Sequence, residues 1–203
     1  MLEIEIKIAL RNQDKSIVLN ELQNLSVTNN KTNQHHCTFL SEEEELDYYF
    51  QHPCQDFSQT DEALRIRIKR ERSSPIASYE LTYKGAKIDS ITKTRSEISV
   101  EINSYDKMNA LLSALGFTLA GKVFKNRKTW KIDTEEITIS LDEVKSLGTY
   151  LELEIIDVES NYEKSKDKLF FWLQKLLKRE NLPPIERRSY LELLLNSLPR
   201  KTH

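Results

Sequence analysis

The sequence of 203 residues predicts an α+β fold that is mainly β, built on an antiparallel sheet that curls or closes into a barrel. About eight segments alternate between apolar and polar residues with a period of two, which is typical of strands with one apolar face. Few segments show helical spacing of their apolar residues. The length suits a single domain, residues 1–203, and no repeat or linker-like stretch divides it.

The predicted strands share this alternation, and the first of them shows it most clearly. There, Glu3, Glu5 and Lys7 point to one side and the apolar residues between them point to the other. In chain order the predicted strands are Leu2–Ile8, Glu45–Phe50, Ala63–Arg70, Tyr79–Lys84, Arg95–Ile102, Val123–Ile132, Ile137–Val144 and Tyr150–Ile155.

Apolar residues at helical spacing predict a small number of helices around this sheet. They are Asp14–Leu25, Ser104–Leu115, a helix that begins at Ser160 and ends before Pro183–Pro184, and a short one from Arg187 to Leu198. Ser160 and Glu163 have the spacing of a capping box, which predicts where the third helix begins. Trp172 lies on the apolar stripe of that helix and is predicted to be in the core.

Composition and charge exclude several classes of protein. The 30 Lys and Arg residues nearly balance the 32 Asp and Glu residues, so no bulk preference for nucleic acid is expected. No apolar run approaches the roughly 18 residues of a membrane helix, and the N-terminus does not have the pattern of a signal peptide. Cys37 and Cys54 are too few for a disulfide framework and lack metal-ligand spacing. We therefore expect a cytoplasmic protein with no membrane partner.

The polar faces of the strands are rich in full charges of both signs. Like charges stand two residues apart on one strand, as in the pair Arg65 and Arg67, and such neighbours repel unless an opposite charge lies between them. Two arrangements remain open: the charged faces are solvated surface, or they line a polar lumen. A triphosphate with divalent cations needs both signs, which favours the lumen. The acidic run Glu42–Glu45 predicts a solvated strand or loop face.

The segment Glu3-Ile-Glu5-Ile-Lys7 resembles the ExExK motif of the CYTH superfamily, also called triphosphate tunnel metalloenzymes. Further segments follow in the order typical of that family. They are Asp47-Tyr-Tyr-Phe50, Asp61-Glu-Ala-Leu-Arg-Ile-Arg67, Leu81-Thr-Tyr-Lys-Gly85, Thr92-Lys-Thr-Arg-Ser-Glu97, Lys125-Asn-Arg127 and the stretch from Leu141 to Glu154. The segment Glu186-Arg-Arg-Ser-Tyr190 is similar to the tail of class IV adenylyl cyclases.

The resemblance implies a closed or nearly closed tunnel of eight antiparallel strands, with a charged lumen and helices packed outside. It also implies Mg²⁺ or Mn²⁺ as cofactor and roles for particular residues. Catalytic roles fall to Lys7, Lys84 and Arg95. The phosphate-binding positions are Lys7, Arg65, Arg67, Lys84, Arg95, Lys125 and Arg127. The metal positions are Glu3, Glu5, Glu97, Asp142, Glu152 and Glu154.

The resemblance is strongest to class IV adenylyl cyclases, which convert ATP to cyclic AMP and pyrophosphate. A triphosphatase acting on inorganic triphosphate, thiamine triphosphate or nucleoside triphosphates is the alternative. A non-catalytic module that binds polyphosphate or nucleotides is a third hypothesis. The expected partner is ATP or another triphosphate, and relatives suggest a homodimer.

Overall fold

The computed structural model describes residues 2–27 and 36–197, which form one eight-stranded antiparallel sheet with helices around it. The strands are β1 Leu2–Leu10, β2 Cys37–Gln51, β3 Ala63–Glu71, β4 Ala77–Lys84, β5 Glu97–Ile102, β6 Thr118–Ile132, β7 Ile137–Val144 and β8 Gly148–Asp157. Their order across the sheet is β1-β8-β7-β6-β2-β3-β4-β5. The predicted mainly β class is therefore confirmed.

The two edges of this sheet meet, because the segment just before β5 pairs with β1. Glu3 and Arg95 exchange two backbone hydrogen bonds of 3.2 Å, and the Lys93 amide donates to the carbonyl of Glu5 at 2.9 Å. We call residues 92–95 the seam segment. The sheet thereby curls into a nearly closed tunnel, as the family resemblance implies.

Five α-helices accompany the strands in the part of the chain that the structure describes. They are α1 Asn12–Val27, α2 Phe57–Thr60, α3 Tyr105–Ala114, α4 Tyr162–Leu177 and α5 Tyr190–Ser197. Helices α1 and α4 cover the outer faces of β1, β6, β7 and β8, where the main apolar core lies. Trp172 is almost fully buried in this core, as predicted. Among the described residues, no helix has the length and apolar character that a membrane span requires.

The packing settles which face of the sheet points inward. Ile4, Ile6 and Ile8 of β1 are buried in the core beneath the helices, so the intervening charged residues face the lumen. At one end of the tunnel the inner faces become apolar. There Tyr49, Val123 and Tyr150 pack against Tyr190 and other residues of α5, which closes that end.

The predicted start of α4 at Ser160 and the predicted capping box there were both wrong. Ser160 lies in a 3₁₀ turn, and α4 begins at Tyr162 without a side-chain cap from Asn161. The reciprocal capping pair instead begins α5, where the Glu192 amide donates to Ser189 Oγ at 3.1 Å and the Ser189 amide donates back to the Glu192 carboxylate.

Strand β2 is 15 residues long, whereas the sequence predicts only Glu45–Phe50. The additional residues pair with β6, which is also longer than predicted, so each long strand supports the other. The alternation is interrupted by the acidic run and by an irregularity in the register between Phe39 and Ser41. That break explains why the pattern was missed.

Candidate active site

The lumen of the curled sheet holds a cavity of about 420 Å³, within the usual range for small-molecule sites. Nine basic and six acidic side chains line it. The predicted site residues among them are Glu3, Glu5, Lys7, Arg65, Arg67, Lys84, Arg95, Glu97, Lys125, Arg127, Glu152 and Glu154. The structure thus brings twelve of the thirteen site residues that the resemblance implies to one cavity, and Asp142 is the exception.

Four carboxylates lie on the neighbouring strands β1 and β8, and we call Glu3, Glu5, Glu152 and Glu154 the acidic wall. The register places Glu5 directly opposite Glu154. Burial, together with the charges of Glu3 and Glu5, raises the pKa of Glu154 to about 7. Burial and the neighbouring Glu152 also raise the pKa of Glu5. The wall therefore favours bound protons or other cations.

Lysines supply part of that positive charge. Lys84 Nζ lies 3.3 Å from both carboxylate oxygens of Glu3 and also contacts Glu97. Burial alone would raise the pKa of Glu3, but Lys84 and Lys93 more than offset it, so the Glu3 pKa is lowered. Burial lowers the pKa of Lys84 to about 8, despite the opposing attraction of Glu3.

Lys7 is the most enclosed of the predicted catalytic residues, with 1% of its surface exposed. Its Nζ donates a 2.6 Å hydrogen bond to the carbonyl of Arg188 and lies 4.1 Å from the centre of the Tyr190 ring. Burial and the nearby Lys93 lower the pKa of Lys7 to about 7. Lys7 can therefore gain or lose a proton near neutral pH.

The basic side chains on β3 and β6 are held by a second, deeper layer of acids. Arg67 donates through Nε and Nη2 to both oxygens of Asp47, at 2.6 and 2.8 Å, and its Nη1 lies 3.0 Å from Glu45. Lys125 lies between Glu45 and Asp142, at 3.1 and 3.0 Å. These contacts fix the basic groups before any anion arrives.

Asp142, predicted as a metal ligand, does not line the cavity. It lies on the same inner face as its register partner Arg127 but is fully buried beneath the basic side chains, where it accepts hydrogen bonds from Lys125, Arg127 and the Tyr190 hydroxyl. In this arrangement Asp142 orients basic residues, while its role toward a metal remains a prediction.

Sequence reasoning missed several residues of the site. Glu45 belongs to the run predicted to be solvated, yet it is 1% exposed and pairs with Arg67 and Lys125. Its spacing of two from Asp47 was the available signal. Lys93 and Tyr190 gave no such signal, because neither belongs to an alternating strand.

The acidic wall fits a divalent cation by donor chemistry, since Mg²⁺ and Mn²⁺ prefer carboxylate oxygens. Within residues 2–27 and 36–197, no three His, Cys, Asp or Glu side chains are already gathered in a metal-binding group. The carboxylates instead contact lysines, as Glu3 and Glu5 do. A metal would therefore replace ammonium groups as the counter-charge of the wall.

Comparisons with known proteins agree with this geometry. The sequence model of the CYTH domain family matches residues 1–182. A Methanocaldococcus jannaschii protein with a provisional adenylate cyclase name is 37% identical over 197 residues, which cover 95% of this chain and 98% of that protein.

Solved structures give the same result at the level of the fold. A protein from Pyrococcus horikoshii OT3 is 38% identical, with a TM-score of 0.80 over 97% of this chain and 99% of that one. A Hippeastrum protein, described as having a dominant triphosphatase activity under a provisional adenylyl cyclase name, is 18% identical. Its TM-score is 0.65, and the alignment covers 100% of this chain and 99% of that one.

Proposed function

Because the chain belongs to the CYTH domain family, we propose that it is a metal-dependent adenylyl cyclase that converts ATP to cyclic AMP and pyrophosphate. The observation that carries the proposal is the lumen itself, where an acidic wall and fixed basic groups line one cavity of about 420 Å³. A linear polyanion bound with divalent cations needs both components.

In this proposal the basic groups bind and orient the triphosphate. Arg65, Lys84, Arg95 and Arg127 line the cavity and would neutralise phosphate oxygens on several sides. The strand positions of Arg65, Lys84 and Arg127, and the backbone pairing of Arg95 with Glu3, limit reorganisation as charge develops at phosphorus. Lys7 Nζ, with a pKa of about 7, can hold or release a proton beside the phosphates.

The acidic wall would hold Mg²⁺ or Mn²⁺ through Glu3, Glu5 and Glu154, and Glu152 borders the same place. The metal would supply Lewis acidity, which neutralises phosphate charge and lowers the pKa of the attacking hydroxyl. Helix α5 excludes water from one end of the lumen by packing Tyr190 over the basic groups. A cyclase benefits, because water competes with the ribose 3′-hydroxyl as nucleophile.

A triphosphatase is the second candidate, because the same cradle could direct water at the terminal phosphorus. The fold alone permits it, since the Hippeastrum protein of the same fold has a dominant triphosphatase activity. The tail Glu186–Tyr190 favours the cyclase, because it resembles the tail of class IV cyclases and contacts the site through Lys7.

The products formed from ATP decide between these reactions. Purified protein with ATP and Mn²⁺, followed by ³¹P NMR and chromatography, should yield cyclic AMP and pyrophosphate in equal amounts. Orthophosphate without cyclic AMP would assign the triphosphatase instead. Tight binding of polyphosphate without turnover under Mg²⁺ or Mn²⁺ would indicate a binding module. Glu5→Gln is the matched control, because it removes one wall carboxylate and should lower metal-dependent turnover.

A further inference from the structure

Lys93 contacts the centre of the acidic wall although it belongs to no strand. The backbone amide of Lys93 donates a 2.9 Å hydrogen bond to the carbonyl of Glu5, which fixes the seam segment against β1. Its Nζ lies 2.5 Å from Glu5 Oε1 and 3.8 Å from Glu152 Oε1, and the residue is 7% exposed. The ammonium thus bridges two wall carboxylates from a backbone position that leaves it little freedom.

The surrounding charges explain why a cation is needed there. Glu5 faces Glu154 across the β1–β8 register, and Glu152 is the next inward-facing residue of β8. Four carboxylates that face an enclosed lumen from two neighbouring strands repel one another strongly unless positive charge lies between them. Lys84 contacts the Glu3 end of the wall, while Lys93 contacts its middle.

We propose that Lys93 is a positioning residue that acts as an internal counter-ion, holding Glu5 and Glu152 in place without metal and competing with the divalent cation for them. The inference rests on the proposed function, because it assigns a role within the same site. A metal held by Glu5 would release the ammonium from its nearer carboxylate and leave only the 3.8 Å contact with Glu152. Lys93 lines the cavity, so its charge then becomes available to the polyphosphate.

This role predicts effects of opposite sign on cation and anion binding. Lys93→Met should bind Mn²⁺ alone about tenfold more tightly, because the competing ammonium is gone. The same variant should bind tripolyphosphate in EDTA about tenfold more weakly, because the lumen has lost a positive charge. Isothermal titration calorimetry measures both affinities without turnover. A residue that merely supports the fold would weaken both.

Two further variants serve as controls. Lys69→Met removes a cavity lysine that pairs with Glu80 at 3.6 Å and does not bridge the wall. It should weaken tripolyphosphate binding and leave Mn²⁺ binding unchanged. Lys93→Arg keeps the charge and should retain both affinities near those of the parent. An unchanged or weaker Mn²⁺ affinity in folded Lys93→Met would overturn the inference.

The same experiment separates this inference from the proposed function. If the parent protein binds neither Mn²⁺ nor tripolyphosphate, the proposed function fails. If it binds both, and Lys93→Met lacks the opposite effects, only the role of Lys93 fails. Should Lys93→Met not fold in EDTA, Mn²⁺ should restore its native circular dichroism by replacing the lost charge. Failure to do so, while Lys93→Arg folds, would also contradict the role.

Discussion

Glu154 illustrates how a single carboxylate in the lumen links pH to stability. Its pKa rises from an ordinary 4.5 to about 7, because of burial and the charges of Glu3 and Glu5. The folded protein therefore holds this proton more tightly than the unfolded chain does. The stabilisation is fully present below pH 4.5 and is lost as pH rises through about 7.

Glu154→Gln should remove this pH dependence, since an amide does not titrate. In metal-free urea unfolding, the parent should lose stability relative to the variant as pH rises from about 4.5 to about 7. The comparison measures the free energy of unfolding of both proteins at each pH. A constant difference across the range would contradict the raised pKa.

Arg67 has more structural importance than its position in a phosphate-binding motif suggests. Its guanidinium is already engaged by Asp47 and Glu45, both of which are 1% exposed. Arg67→Ala leaves two buried carboxylates short of a partner, so the free energy of unfolding should fall by about 3–5 kcal/mol. Arg70→Ala, on an exposed position of the same strand, should change it by less than about 0.5 kcal/mol. Equal losses in denaturant titrations would argue against the buried pairing.

At the level of elements, α5 combines a packing role with a polar contact to the site. Tyr190 donates from its hydroxyl to Asp142 at 2.9 Å, and its ring packs 5.1 Å from that of Tyr150. The helix thus connects the tunnel end with the basic groups that Asp142 orients.

Two substitutions at Tyr190 separate these contributions. Tyr190→Phe keeps the ring and should cost about 1 kcal/mol for the lost hydrogen bond. Tyr190→Ala also removes the packing and should cost about 3–5 kcal/mol. Urea denaturation of the two variants measures both values. Similar costs would mean that the hydroxyl, rather than the packed ring, accounts for the stabilisation.

The tail and the seam segment depend on each other, which makes tunnel closure a cooperative property of two elements. Arg187 Nε donates to the carbonyl of Thr92 at 3.1 Å, and the Glu186 amide donates to the carbonyl of Lys7 at 2.7 Å. The tail therefore contacts both sides of the junction between β1 and residues 92–95. Neither element pairs along a full strand there, so each limits the motion of the other.

For the whole molecule, the charged lumen predicts that a polyanion stabilises the fold. Nine basic side chains line one cavity, so tripolyphosphate should bind the native state and relieve their repulsion. At a concentration 100 times its Kd, the free energy of unfolding should rise by about 2.7 kcal/mol. Thermal unfolding in EDTA measures the shift, with potassium chloride of equal ionic strength as control. An unchanged Tm at saturating ligand would be incompatible with a polyphosphate site.

Period-two spacing predicted which charged residues share a strand face, since alternation assigns every second residue of a strand to the same side, and the family resemblance identified that face as the site. Glu3, Glu5 and Lys7 share a face in the sequence and share the lumen in the structure. Glu45 was not predicted as a lumen residue because its neighbours are also acidic, which conceals the alternation. The hydrogen bonds that Lys125 and Arg127 donate to Asp142 could not be predicted, because Asp142 lies on a different strand from these two residues.

The sequence by itself determined the strands, the residues on each charged face and the resemblance to the CYTH family. These depend on short spacing along the chain, because successive side chains of a strand point to opposite faces of the sheet. Only the tertiary structure decided that the apolar faces lie beneath the helices, that Lys93 joins the acidic wall and that α5 closes one end. Each depends on contacts between residues far apart in the chain, and those are fixed by how the sheet curls and packs.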